Sequence, residues 1–346
     1  MTLVRSAGGS VWVRAAGSVL LLGFVAINID LGAAADRLRE GRWEWFAVAV
    51  ALLLVALGIG AWRWHVLLAA AGISSTRRET LRAFAIGVFC TTFLPTSFGG
   101  DGVRAWIVGR PRGAVVRALT SVGVDRATAL ACLVAVGWLL AALNPGAVPG
   151  SLALALLVAS VAGAGVVGVL SAALVRPGSW LRRLPTWLAR RHEARAARLT
   201  AWAQEGRGVL RAYVRSRRVV WAVVGLGCAY QLVAVAFLWA LTRVVQVDLA
   251  PSTVGVALPL IVLANLFPLS IGGFGVREGA FVVVLGTADV TATDATVLSL
   301  LTITAHALSG VPGALALLAR GEMPPRPDLP PHPPRREARA AAATPL

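Results

Sequence analysis

Six stretches of this chain, at about 11–30, 45–70, 118–143, 150–175, 219–243 and 294–318, carry almost no charge. Each is close to or above the roughly 20 apolar residues that one helix needs to cross a hydrocarbon core. In that medium a backbone N–H or C=O must find its partner inside the segment, which leaves helices and closed barrels as the only spanning structures. Runs of this length predict an all-α polytopic membrane protein rather than a soluble core. The composition agrees: of 346 residues 57% are hydrophobic and 14% charged. The run at 11–30 has no small-residue cleavage site and is kept as a span.

Two further apolar regions, about 80–112 and 253–287, are each interrupted. The first contains FLPTSFGGDGVR (Phe93–Arg104) and the second LFPLSIGGFGVRE (Leu266–Glu278). They share P-x-S-x-G-G-x-G-V-R at an offset of 173 residues, which carries Pro95, Ser97, Gly99, Gly100 and Arg104 onto Pro268, Ser270, Gly272, Gly273 and Arg277. The same offset moves 46–70 onto 219–243 and 119–143 onto 292–316. A whole unit is therefore duplicated, one repeat over 45–143 and the other over 218–318. Proline and glycine break the backbone ladder, so each region is expected to enter the membrane and return to the same side as a re-entrant hairpin. New half-helices are expected near Gly102 and Gly275. Glycines at such spacing also serve close helix packing, but duplication together with a retained arginine favours a site.

The charges set the orientation. All 33 basic residues are arginine, against 16 acids, for a net charge of +17. The arginines lie in loops and in the tail, where basic residues mark the cytoplasmic side and suit an anionic lipid surface. This argues against nucleic acid as a partner. The segment 176–218 holds twelve arginines against Glu193 and Glu205 and is assigned to the cytoplasm. The N-terminus, with Arg5 and Arg14, falls on that side too, as does a Pro/Arg-rich tail at 323–346 that is expected to be disordered. The membrane domain is then 1–322. Three spans between the hairpins invert the second copy, so the first hairpin opens inward and the second outward, the inverted repeat of a transporter. About six full spans and two re-entrant hairpins result.

Free N–H groups and the positive dipole end of each half-helix favour an anion. Two such ends with an arginine apiece are expected to meet near the midplane as a positive cavity. An ionisable residue at the bilayer centre costs about 2.5–3.5 kcal/mol on insertion scales, so Asp125 and Arg126 in the third long run need partners. Asp125 is expected to face a motif arginine, and Arg126 to face Glu278 or a substrate anion. Asp101 and Glu278 are expected as arginine partners, proton carriers or helix caps. His306 reads as a hydrogen-bonded packing residue, and His65, beside Arg63, Trp62 and Trp64, as part of an interfacial anchor. Leu199, Trp202, Val209 and Tyr213 form a helical stripe suited to lying on the inner membrane surface. Cys90, Cys132 and Cys228 have no metal or redox spacing. Without lysine there is no Walker A motif, and no metal or cofactor is expected.

On LPTSFGGDGVR, the intramembrane Asp125-Arg126 pair and FPLSIGGFGVREG, the chain resembles the lysylphosphatidylglycerol synthase transmembrane family, a flippase-like domain, over about residues 10–320. The resemblance implies that Arg104, Asp125, Arg126, Arg277 and Glu278 form the core of the polar cavity. In fused relatives such a domain moves an aminoacylated phosphatidylglycerol between leaflets, and a soluble C-terminal domain makes that lipid. Here a Pro/Arg tail follows instead, so synthase activity is not expected.

The functional expectation is a protein that is not an enzyme and that flips an anionic phospholipid or lipid-linked envelope precursor across the cytoplasmic membrane. Site residues are Pro95, Ser97, Gly99, Gly100, Asp101, Arg104, Asp125, Arg126, Pro268, Ser270, Gly272, Gly273, Gly275, Arg277 and Glu278. The membrane and an anionic lipid are the partners, with a homo-oligomer left open. Alternatives are a secondary transporter of a small soluble anion and an accessory protein of envelope glycolipid assembly.

Overall fold

The computed structural model describes residues 31–93, 99–175, 193–265 and 275–319. The expected first span, motif residues Pro95, Ser97, Pro268, Ser270, Gly272 and Gly273, the stretch 176–192 and the tail at 323–346 lie outside the described residues. Within them every regular element is helical. A short α1 (Leu31–Arg39) leads into α2 (Trp43–Ala70). Then come α3 (Arg77–Phe93) and α4 (Gly99–Gly109), followed by α5 (Val115–Leu143), α6 (Gly150–Val175), α7 (Glu193–Arg215) and α8 (Arg217–Val244). The chain continues through α9 (Pro251–Ala264), α10 (Val276–Gly286), α11 (Ala292–Ser309) and α12 (Val311–Leu318).

Among the described residues four helical stretches are long and apolar enough to cross a bilayer: α2, α5, α8, and α11 with α12 as Ala292–Leu318. With 28 residues, α2 is about 42 Å long at 1.5 Å per residue. The two broken regions behave differently. Their arms have 17, 11, 14 and 11 residues, about 16–26 Å, each short of a core roughly 30 Å thick. Within each region the two arms pack against each other, so both regions are helical hairpins, as the motif positions implied. The start of α4 is at Gly99, three residues before the expected Gly102. In the second hairpin Gly275 is the N-cap of α10, at φ 85°, a conformation that a residue with a Cβ rarely adopts.

The last run, expected as one span at 294–318, is two helices. Gly310 separates them and Pro312 stands in the first turn of α12, where its missing N–H costs nothing. Gly313 lies directly on the Ala85 carbonyl, and this close approach seats α12 on α3.

Two apolar cores divide the long helices between them. One joins Trp64, Leu67 and Leu68 of α2, Ala118 and Val122 of α5 and Val223 of α8 to Ala83, Ile86 and Val108 of the first hairpin. The other joins Ala49 of α2, Val136 of α5 and Val235–Val245 around the end of α8 to Val254, Ile261, Phe281 and Leu285 of the second. The hairpins therefore pack at opposite ends of α2, α5 and α8. Helix contacts pair off under the 173-residue offset: α2 packs on α3 as α8 does on α9, α4 on α5 as α10 on α11, α5 on α9 as α11 and α12 on α3, and α8 on α5 as α2 on α11. The duplication read from the motifs thus extends to the packing.

The basic segment folds as α7, but the expected surface stripe divides. Val209 and Tyr213 are buried in the protein core. The Tyr213 hydroxyl donates to the Leu67 carbonyl at 3.0 Å, and Gly206 lets α7 approach Thr120 of α5. Trp202 is exposed, and the Leu199 side chain lies outside the described ones. Half of the apolar face thus docks on α2 and α5 rather than on lipid.

Candidate functional site

One charged cluster is built where α2, α4 and α5 converge. Asp125 on α5, 2% exposed, accepts from Arg63 Nε at 2.7 Å through Oδ1 and from Arg104 Nη2 at 2.9 Å through Oδ2. Arg63 Nη2 also donates to the Asp125 carbonyl at 3.4 Å. Asp101, one turn before Arg104 on α4, accepts from Arg104 Nε at 3.1 Å. Its other oxygen accepts from Arg126 Nε at 2.7 Å. The result is a chain Arg63–Asp125–Arg104–Asp101–Arg126, three guanidinia against two carboxylates. Arg63 and Arg104 are each 3% exposed, whereas the Arg126 side chain is 53% exposed. The cluster runs from the interior to the surface and holds one more positive charge than negative.

The packing explains why these side chains stay in place. Arg104 lies between two rings, 4.9 Å from Trp64 and 4.8 Å from Phe84, an arrangement that attracts a cation to the aromatic faces. Trp64 is fully buried and its indole donates to Ser121 Oγ at 3.0 Å. Arg63 lies over Tyr230 at 5.6 Å, and Gln231 ties α8 to the Ala129 carbonyl at 2.9 Å. α4 can approach α3 because Gly100 packs directly on the Gly87 carbonyl and on Thr91 Oγ1. Any Cβ at position 100 would occupy the same space as those atoms. Arg63 Nη1 and Arg104 Nη1 are buried without a hydrogen-bond partner among the described residues.

Several expectations change. Asp125 does face the motif arginine Arg104. Arg126 does not face Glu278: its partner is Asp101, because both lie on the α4–α5 interface. Glu278 serves the second hairpin locally. It caps the start of α10, accepting from the Gly275 N–H at 2.5 Å and from Ser299 Oγ at 3.3 Å. Arg277 is half-buried and has no hydrogen bond or ion pair within the described residues. No hydrogen bond or ion pair among the described residues joins the two motif regions into one midplane cavity. Arg63 lies seven residues from the end of α2 and Asp125 ten residues into α5, so the cluster sits about 10–15 Å in from the arginine-rich end.

The duplication does not reproduce the cluster. Under the 173-residue offset Arg104 maps to Arg277, but Arg63, Asp101, Asp125 and Arg126 map to Ala236, Phe274, Leu298 and Ser299. Arg63 is the member that sequence reading missed, grouped there with Trp62 and His65 as an interfacial anchor. Position was the available signal: Arg63 lies within the apolar run of α2, where a lone charge calls for a partner. His65 turns its ring to Thr80 Oγ1 at 3.1 Å, and His306 pairs with the Thr302 carbonyl at 2.8 Å, a local packing role. Among the described residues no group of histidine, cysteine and acidic side chains could hold a metal ion.

The family model for the lysylphosphatidylglycerol synthase TM region matches residues 11–313. Comparison with curated proteins and with solved structures finds no match. The matched range contains both hairpins and every residue of the cluster.

Proposed function

Because the chain belongs to the lysylphosphatidylglycerol synthase transmembrane-region family, a multi-pass membrane family with a lipid-related role, we propose that it flips an anionic phospholipid or lipid-linked anion across the cytoplasmic membrane, as a transporter and not an enzyme. The observation that carries this reading is the surplus positive charge of the Arg63–Asp125–Arg104–Asp101–Arg126 chain. The four buried members balance, two guanidinia against two carboxylates, so the surplus charge sits on Arg126, whose side chain is 53% exposed and where an anionic headgroup can meet it.

Arg126 is the entry point, since its side chain is half exposed and shares Asp101 with Arg104. A headgroup phosphate arriving at Arg126 competes with the Asp101 carboxylate and moves inward along the guanidinia. Asp101 and Asp125 reclaim the arginines as the phosphate departs, which keeps release from being too slow. The acyl tails stay in lipid. Opposed hairpins in an inverted repeat would alternate access between the two faces, with the arginine-rich end and both termini in the cytoplasm.

The test is reconstitution of the full chain into liposomes containing labelled anionic phospholipids, comparing wild type with Arg104→Gln. Protein-dependent leaflet exchange that the substitution abolishes is the expected result. Absence of exchange with every anionic lipid tried, from protein shown to be folded, defeats the proposal.

A further inference from the structure

The helix α7 has two faces, and among the described residues only one of them is held by protein. The inner face is fixed at three points. Glu205 pairs with Arg117 at 3.5 Å, Gly206 rests on Thr120, and the Tyr213 hydroxyl donates to the Leu67 carbonyl at 3.0 Å. Arg117 and Thr120 are the third and sixth residues of α5, and Leu67 stands three residues before the end of α2. All three anchor points therefore lie within about 8 Å of the helix ends. From Glu205 to Tyr213 α7 runs about 12 Å, close to the roughly 8–10 Å between packed helices. It is a strap laid across the arginine-rich ends of α2 and α5 rather than a rod alongside them.

The outer face carries Arg211, Val214 and Arg215, which line a groove with Leu210. It continues into the start of α8 with Arg217, Arg218 and Trp221. The four arginines are exposed, and none of them forms an ion pair among the described residues. From 206 to 218 the sequence holds five arginines and no acid, and the adjacent Glu205 is engaged by Arg117. Arg217 and Arg218 stand in the first turn of α8 with no acidic residue beside them, at a positive dipole end that favours anions. Between these charges Val214 is 78% exposed and Trp221 68%. Large apolar side chains set among guanidinia are poorly placed in open water. At the headgroup level both kinds are satisfied, because apolar groups enter the boundary while guanidinia reach the phosphates. Trp221 belongs to a helix long and apolar enough to span, close to its end, which sets this face at the interface where indole rings collect.

We propose that Arg211, Val214 and Arg215, continued by Arg218 and Trp221, form a docking surface for the anionic phospholipid headgroups of the leaflet at this end of the bundle. This is the side of α7 opposite to Val209 and Tyr213, which pack on protein. Leaflet charge then presses the strap onto α2 at Leu67, one helical turn from Arg63. The surface stands whether or not the charge cluster carries a lipid across the membrane.

The experiment is hydrogen–deuterium exchange of the full-length protein in nanodiscs, read on peptides from α7. One set of discs holds phosphatidylcholine alone, and the other holds phosphatidylcholine with about one-third phosphatidylglycerol. Wild-type α7 is expected to exchange about fivefold or more slowly in the anionic discs, the scale of one arginine near an anionic surface. About 1 M salt, where screening acts within roughly 3 Å, is expected to remove the slowing. Arg211→Gln combined with Arg215→Gln is expected to lose it as well, while matching wild type in phosphatidylcholine discs. Arg77→Gln combined with Arg78→Gln removes the same charge from exposed positions at the start of α3 and is expected to keep the slowing. Equal exchange of wild type in the two discs overturns the proposal, and so does slowing that survives in the α7 double variant. Slowing lost equally in the α3 double variant overturns it as a bulk charge effect. Faster exchange of the α7 double variant already in phosphatidylcholine discs overturns it too, since the arginines then serve the fold.

Discussion

Asp125→Asn tests the charge cluster most directly, because Asp125 bridges two buried arginines. The substitution keeps the side-chain shape and removes one negative charge, so the cluster goes from one surplus positive charge to two. Breaking a buried pair by removing one partner costs about 3–5 kcal/mol. Coulomb's law gives a similar size, about 4 kcal/mol for unit charges 4 Å apart at an effective dielectric constant of 20. Adding Arg63→Gln to Asp125→Asn returns the surplus to one. The double variant should therefore recover much of the loss, with a coupling of about 2–3 kcal/mol. A control is Asp248→Asn, which breaks the Arg243–Asp248 pair at 2.9 Å, where the aspartate side chain is 90% exposed; such surface pairs contribute about 0–1 kcal/mol. The assay is thermal unfolding of wild type, Asp125→Asn, Arg63→Gln, the double variant and Asp248→Asn in one detergent, ranked by midpoint. Asp125→Asn should melt well below wild type, the double variant above Asp125→Asn, and Asp248→Asn beside wild type. An Asp125→Asn midpoint close to that of Asp248→Asn, or additivity with Arg63→Gln, would refute the idea that buried charge balance governs this site.

Gly100→Ala should dislodge α4 from α3, since the new Cβ meets the Gly87 carbonyl and Thr91; a loss of about 2 kcal/mol or more is expected, against a small change for Gly102→Ala, where no atom lies within 4 Å. Tyr213→Phe removes the hydroxyl bond to Leu67 and should cost about 1 kcal/mol, loosening α7 first; faster amide exchange in α7 than in α8 checks it. Single cysteines placed at Arg112 and Thr287, with the native cysteines replaced, should react with impermeant reagent from opposite faces of sealed vesicles, and labelling from one face would remove the opposed-hairpin arrangement.

The hairpins were legible because proline and glycine interrupt runs that are otherwise too apolar to mistake, and because the same interruption occurs twice. The Asp125–Arg104 contact was legible too, since an intramembrane acid needs a cation and the motif offers one. The pairing of Arg126 with Glu278 was wrong because periodicity says which face of a helix a residue occupies but not which neighbouring helix lies there; only the seating of α4 on α5 brings Asp101 to it. Arg63 was hidden by its setting between Trp62 and Trp64, a pattern that also marks membrane interfaces. Glu278 looked like a charge partner, and its capping role depends on where α10 begins. The surface stripe on α7 was correct as a helix and wrong in part as a lipid contact, since apolar periodicity does not distinguish a protein neighbour from a bilayer.

The packing repeats across the two halves while the ionic chain does not. Exchanging the roles of the hairpins therefore does not return an equivalent molecule. If the hairpins alternate access as proposed, the two postures would be unequal when empty, and the tilt between them would depend on how many negative charges are aboard. On that proposal a cargo with the wrong valence would leave the molecule resting on one side, which would make valence itself a filter, ahead of any fit to headgroup shape.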